Sequence, residues 1–366
     1  MKLLRSPKKS LATVFLASVF VLSACNPDDN VNTPTHTSSL KGTLTGIGSS
    51  AQKSAVDAWT AEFESNNSQV NLQYSSDGSG AGRTALINKS ADFAGSDVAM
   101  KPQELEQSKN VCGSNGAFDI PVYISPIEIT FNLENIKELN LDSATIAKIF
   151  NGKITKWNDT AIAALNPGVK LPDLAITPVH RGDESGTTQN FTDYLHKTAG
   201  SEWPDEGAQS WPKAYDGEAA QKTAGVVSTT QATPGAIAYA DESGVSPDLG
   251  KVKIKVGNQF VAITPEGASK VVAQSPKQSG RAANDLAIDI NRTSTDPTTY
   301  PLVLVSYHVL CSTYPSQEKA DNVKAWESYV VSEQGQNTSK QSAGSAPLPD
   351  TLRAQAQQSI NSIGVQ

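Results

Sequence analysis

Apolar positions along this chain fall into helical spacings and short strand-like runs, and the two kinds alternate. Ala55, Val56, Trp59 and Phe63 recur at helical spacing after LTGIGSS, with Ser49 and Ser50 available as N-caps. VNLQYSS (70–76) predicts a strand, and DGSGAGR (77–83) a loop that turns into a helix through TALINKS. DFAGSD (92–97) has the look of a short strand ending in a loop. A long β-rich run broken by prolines, FDIPVYISPIEITFNL (118–133), is long enough to pass from one lobe into another. Asp142 and Ser143 then open a helix that stops at Asn151-Gly152. LAITPVH (174–180) and GAIAYA (235–240) predict strands; GTTQNFTDYLHK and GEAAQKTAGVV predict helices; KVKIKVGNQFVAI alternates as a hairpin does. YPLVLVSYHVL (300–310) is the second long apolar run, a candidate return crossing, and 317–332 and 350–363 predict closing helices. Helix and strand taken in turn predict an α/β architecture of two interrupted lobes, whose ligands sit in the cleft between them.

The first residues break this pattern. A basic start, MKLLRSPKK, precedes the apolar stretch LATVFLASVFVL, 12 residues long. That is short of the about 20 needed to span a bilayer, so 1–24 is expected to be a signal peptide. It ends in Leu22-Ser23-Ala24-Cys25, which resembles a bacterial lipobox and implies lipidation at Cys25. The polar stretch up to residue 40 is then a tether (25–40), and the body is anchored on the extracytoplasmic side of the cell membrane, in a periplasm or on an outer surface. Cys112 and Cys311 remain, in an oxidising compartment; a disulfide between them is expected, with two separate thiols as the alternative.

Length and charge narrow the function. The 366 residues suit two domains of ordinary size. A net charge of -7, with no basic block beyond the first residues, speaks against a nucleic-acid partner. It also means that an anionic ligand would have to be held by local, directed donors. Such donors are present in GIGSSA (46–51), DGSGAGR (77–83), FAGSD (93–97) and RGDESGTT (181–188), which place glycine and hydroxyl residues at strand-to-helix junctions. Helix N-termini carry unpaired N–H groups and partial positive charge, and glycine lets a ligand approach the backbone. Together with Arg181, these segments predict one oxyanion site.

An enzyme reading would make Ser185 a nucleophile with His180 or His196 as base. The surrounding D-E-S-G-T is not a G-x-S-x-G elbow, and neither histidine is brought to Ser185 by local spacing. The four histidines are scattered, with no H-E-x-x-H or C-x-x-C pair, so no metal or other cofactor is expected. A surface lipoprotein for adhesion or signalling would share the anchor but has no use for converging anion loops.

LTGIGSS, GSGAG, DFAGSD, IFNGKITKWNDTAIAALNPGVKLP, HRGDESGTT and PGAIAY together resemble the phosphate-binding proteins of bacterial high-affinity phosphate ABC transporters, across almost the whole mature chain. The resemblance implies a type II periplasmic-binding-protein fold, each lobe a mixed sheet flanked by helices, with two crossover strands as hinge. The lobes would run 41–125 with 303–366, and 126–302, and close over one dehydrated phosphate for delivery to a membrane permease. As phosphate contacts it implies Ser50, the N–H of Ala51, Ser79, Asp97, Arg181, Ser185, Gly186 and Thr187. Threonine is frequent in the family where Ser50 stands, and phenylalanine where Ala51 stands, so a ring over the site is missing. Chemistry supports the set. Arg181 offers a planar fork for two oxygens, and Asp183 is placed to fix its direction, a solvated surface acid being the alternative reading. Asp97 would repel a dianion unless it accepts a hydrogen bond from the ligand. Monohydrogen phosphate carries that proton and sulfate does not. A binding protein for sulfate, molybdate or another oxyanion is the nearest rival, and a phosphate-ester hydrolase a more distant one.

Overall fold

The computed structural model describes residues 40–366; the expected signal peptide and Cys25 lie outside the described residues, as does the tether up to residue 39. Gly42–Gly48 (β1) opens the fold, followed by Lys53–Asn66 (α1), Val70–Ser75 (β2), Ser79–Ile87 (α2), Phe93–Ser96 (β3) and Pro102–Cys112 (α3). Strands β2 and β3 pair parallel on either side of β1, as βαβ units require. The expected face of α1 is the buried one: Ala55, Val56, Trp59 and Phe63 point inward, and Trp59 Nε1 donates to Gly335 O at 2.6 Å.

Ala117–Phe131 (β4) is buried at every position, because both of its faces are covered. Further along come Glu138–Leu141 (β5), Ser143–Phe150 (α4), Thr160–Leu165 (α5), Thr177–Arg181 (β6), Gly186–Ala199 (α6), Glu218–Ala220 (β7), Lys222–Ala232 (α7) and Ala236–Asp241 (β8). After Gly250–Val256 (β9), Gln259–Val261 (β10) and Pro265–Ala273 (α8), the chain returns through Val303–Cys311 (β11). Thr313–Tyr314 (β12), Gln317–Val331 (α9), Glu333–Ala343 (α10), Asp350–Asn361 (α11) and Gly364–Val365 (β13) complete it.

Strands β4 and β11 join the two halves. Strand order is β2-β1-β3-β11-β4-β8-β6-β7, with β9 also on β4 and β5 and β10 on β9. Along β4 the partner changes: up to Pro126 it lies against β11, and from Ile127 to Phe131 against β8. One strand therefore serves two sheets, and the result is a curled, mixed α/β layer flanked by helices. A disulfide joins Cys112, at the end of α3, to Cys311, at the end of β11, with Cα atoms 4.5 Å apart. Among the described residues no helix is long and apolar enough to cross a membrane.

Several local expectations need correction. LTGIGSS contributes a strand, β1, whose glycines and threonines hid it in the hydrophobic pattern. Neither Ser49 nor Ser50 caps α1: Gln52 occupies the N-cap and makes no side-chain bond there. GEAAQKTAGVV begins as strand β7 and turns helical only at Lys222. Helices α3, α5, α8 and α10 went unanticipated, since their buried faces are short or polar.

Candidate functional site

Strands β1, β3 and β6 all point their C-terminal ends at one place, and their following turns build its walls. The first turn is Ser49-Ser50-Ala51, buried throughout. Ser49 N donates to Gly95 O at 2.8 Å, tying it to the third turn. Ala51 N donates to Ser49 Oγ at 3.0 Å. Ser50 Oγ reaches across to the start of α7, 3.1 Å from Thr223 Oγ1 and 3.2 Å from Thr223 N, which donates to it.

The second turn starts α2. Gly78 sits at φ +102°, and a β-carbon there would lie 2.9 Å from Glu184 O in the fourth turn. Glycine is therefore required twice over, by conformation and by the approach of the opposite wall. Ser79, next in line, holds Asp97: Asp97 N donates to Ser79 Oγ at 3.1 Å, and that hydroxyl faces Asp97 Oδ2 at 3.3 Å.

The third turn is Asp97 itself, 3% exposed. Its Oδ1 accepts from Ser306 Oγ at 2.6 Å, and its Oδ2 from Thr187 Oγ1 at 3.4 Å. Burial pushes the carboxyl above its ordinary range, opposed by hydrogen bonds from Ser306 and Ser49 and by the charge of Arg181. Such a group can exist as a carboxylate only where donors surround it, and a proton offered by a ligand would be welcome there.

The fourth turn follows β6. Arg181 ends that strand, 4% exposed, and its Nε donates to Asp183 Oδ1 at 2.7 Å while Nη2 pairs with Oδ2. This two-point pairing fixes the guanidinium plane. Burial works against the Asp183 carboxylate, yet Arg181 and the N–H of Lys222 (3.0 Å) hold it below the usual range. Ser185 is the N-cap of α6, its Oγ accepting from Thr188 N at 3.2 Å. Gly186 and Thr187 form the first turn of that helix. A β-carbon on Gly186 would stand 2.7 Å from both Asp97 Cβ and Ser79 Oγ, so only glycine lets α6 meet the other half this closely.

The structure thus brings Ser79, Asp97, Gly186 and Thr187 into contact, with Arg181 near enough to act on Asp97 through its charge. Ser50 and Ala51 form an adjoining wall whose present partners are Thr223 and Ser49. Ser185 lies in the fourth turn beside Gly186, with its hydroxyl engaged by its own helix. His180 does not face Ser185: it stacks on Trp211 at 4.7 Å, with Nδ1 3.0 Å from Arg181 O. Among the described residues no cluster of His, Cys, Asp and Glu is arranged to hold a metal ion.

Sequence reasoning missed Ser306, Thr223 and Asn190. Ser306 had a signal, as the one serine inside the apolar run YPLVLVSYHVL, at the place where the β4–β11 register slips by one residue. Thr223 and Asn190 had none, since each meets its partner only through the tertiary fold.

A family model described as "PBP superfamily domain" matches residues 33–334. Among curated relatives, "Phosphate-binding protein PstS 3" of Mycobacterium tuberculosis (strain ATCC 25618 / H37Rv) is 34% identical over 364 residues, covering 96% of this chain and 97% of that protein. "Phosphate-binding protein PstS 2" of the same organism is 35% identical over 366 residues, with coverage of 96% and 97%. Among solved structures, a high affinity periplasmic phosphate-binding protein bound with phosphate superimposes with a TM-score of 0.71 at 17% identity, over 89% of this chain and 100% of that one. That likeness concerns the fold.

Proposed function

The chain belongs to the PstS-type phosphate-binding proteins of the PBP superfamily, and from that premise we propose that it binds inorganic phosphate between two lobes and hands it to an ABC-transporter permease for import. The single observation that carries this reading is Asp97. A buried carboxylate has been placed in the middle of an anion site, facing Ser79, Thr187 and Ser306, and within the field of Arg181. A fully ionised tetrahedral anion would be repelled there. Monohydrogen phosphate instead keeps its proton and donates a hydrogen bond through it to Asp97, while Arg181, the Ser50, Ser79 and Thr187 hydroxyls, Ser185 and the N–H groups of Ala51 and Gly186 serve its other oxygens. Closure strengthens each of these bonds by excluding water.

We assign the lobes as 41–125 with 303–366, and 126–302. The change of partner along β4 between Pro126 and Ile127, and the start of β11 at Val303, support these boundaries. The stretch before β11 leans on both lobes, since Arg281 Nη2 donates to Met100 O at 2.7 Å while Arg292 Nε donates to Asp193 Oδ2 at 3.0 Å. We read it as a protein that acts by binding: the Ser185 hydroxyl is engaged in capping α6, and His180, the nearest candidate base in the sequence, is stacked on Trp211 with Nδ1 at Arg181 O. Lipid on Cys25 would hold this body at the extracytoplasmic face of the membrane, beside the permease.

Titration calorimetry with phosphate and sulfate, on the protein and on Asp97→Asn, tests the reading. Tight phosphate binding with sulfate excluded, and a narrowed gap in the variant, is the expected result. Equal binding of both anions by the unsubstituted protein would sink it.

A further inference from the structure

Asp97 is held by its backbone as well as by its carboxylate, and the two backbone groups are held from opposite lobes. Its N–H goes to Ser79 Oγ of its own lobe at 3.1 Å. Its C=O accepts from Asn190 Nδ2 of α6, in the other lobe, at 2.7 Å. The same amide nitrogen donates to Gly186 O at 3.0 Å, so Asn190 ties Asp97 to the first turn of the helix that carries Gly186 and Thr187.

The orientation of that amide is enforced. Asn190 Oδ1 accepts from Arg292 Nη2, a group that can only donate, and this leaves Nδ2 facing Asp97. Arg292 is 3% exposed and is itself fixed on the return crossing: Nη1 donates to Pro301 O at 3.0 Å and Val303 O at 2.6 Å, and Nε to Asp193 Oδ2 at 3.0 Å. A chain of bonds therefore runs from the backbone where the polypeptide re-enters the first lobe, through Arg292 and Asn190, to the acid that meets the ligand. A polar cavity bordered by Asp97, Asn190, Asp193, Arg292 and Tyr307 adjoins this linkage. Without the Asn190 bond, Asp97 has room to retreat on that side.

We propose that Asn190, oriented by Arg292, is a specificity-determining positioning residue: by gripping the Asp97 carbonyl across the cleft, it makes the carboxylate confront the bound anion only when the lobes are closed. The inference rests on the phosphate reading given above. Its consequence is directional. A fixed Asp97 rewards an anion that carries a proton and repels one that does not, whereas a loosened Asp97 does less of both. Asn190→Ala removes the grip. Asn190→Asp keeps an acceptor for Arg292 while removing the donor to Asp97, so it separates the cross-cleft bond from the support of a buried arginine.

Calorimetry with phosphate, and phosphate competition in a large excess of sulfate, distinguish the outcomes. For both variants phosphate affinity should fall about 3- to 10-fold, the scale of one buried hydrogen bond, while competition by sulfate rises. A purely structural role would lower Tm and weaken both anions by one common factor. That result overturns the proposal, as does unchanged phosphate affinity or continued exclusion of sulfate by the variants. Failure of the unsubstituted protein to bind phosphate would instead strike the functional reading itself. Should Asn190→Ala not fold, Asn190→Asp alone decides.

Discussion

Two buried arginines border glycine- and serine-rich turns in this protein, and their guanidinium groups are engaged in opposite ways. Arg83, 1% exposed, closes the DGSGAGR segment, and protein acceptors occupy its whole fork. Its Nε lies 3.1 Å from both oxygens of Glu104, Nη1 donates to Ser96 Oγ at 2.8 Å, and Nη2 to Gln209 Oε1 at 2.6 Å. Arg181, 4% exposed, opens RGDESGTT and is held on one edge by Asp183 alone. Among the described residues its Nη1 has no hydrogen-bond partner, and its charge acts on Asp97. Burial and a carboxylate neighbour are common to the pair. Commitment of the fork separates the two: Arg83 is fully engaged as a brace, whereas Arg181 keeps part of its fork for the role proposed for it, and only the three-dimensional structure reveals the difference.

That contrast is sharpest under truncation. Arg181→Ala should have the largest effect on ligand binding, costing about 2–5 kcal/mol, or at least about 30-fold in phosphate affinity by calorimetry. A change smaller than tenfold would mean that Arg181 is a second brace. Arg83→Met should show the opposite profile. Glu104 would lose its partner and Gln209 and Ser96 a donor, so stability falls by about 2–4 kcal/mol in denaturant unfolding. Phosphate affinity should then drop less than tenfold, through removal of the Arg83–Gln209 link across the cleft. If affinity collapsed while stability held, the roles would be reversed.

Asp241 supplies a smaller test, of whether burial without a cation behaves as these pairs imply. It is fully buried beside Tyr123, whose hydroxyl lies 3.3 Å from both carboxylate oxygens, and it accepts from Ser243 N at 3.1 Å. Burial raises its pKa to about 7, against the hydrogen bonds of Ser125 and Ser243. The folded state then holds more protons than the unfolded chain between the ordinary carboxylate range, about 4, and 7. This group's contribution is thus fully present below that range and is lost as pH rises toward 7. Thermal unfolding should show the gap between pH 5 and pH 8 narrowed in Asp241→Asn. An unchanged gap would assign that slope to other groups.

Much of the frame was legible because it depends on local periodicity. The face of α1, the long apolar runs that became β4 and β11, and the Asp142 cap of α4 (Thr145 N to Oδ1, 2.8 Å) all follow from neighbouring residues. Strand β1 was not legible, since five of its seven residues are threonine or glycine and carry little hydrophobic signal. At the site, Arg181, Asp183 and the hydroxyl turns could be nominated from type and spacing. What each side chain does could not, because the deciding partners are distant: Ser50 meets a residue 173 positions away, Arg83 one 126 away, and Asp97 meets Ser306 at a separation of 209. Ser49 and Ser50 illustrate the point. Local rules offer them as helix caps, but the fold turns Ser50 toward α7 instead.

A crystal structure of the protein grown with phosphate would decide whether Asp97 and Arg181 hold the ligand. One phosphate should lie at the helix starts of α1, α2 and α6, with an oxygen within hydrogen-bond distance of Asp97 and two oxygens on Arg181, while Arg83 keeps Glu104, Ser96 and Gln209. Phosphate bound away from Asp97, or held by Arg83, would contradict that assignment.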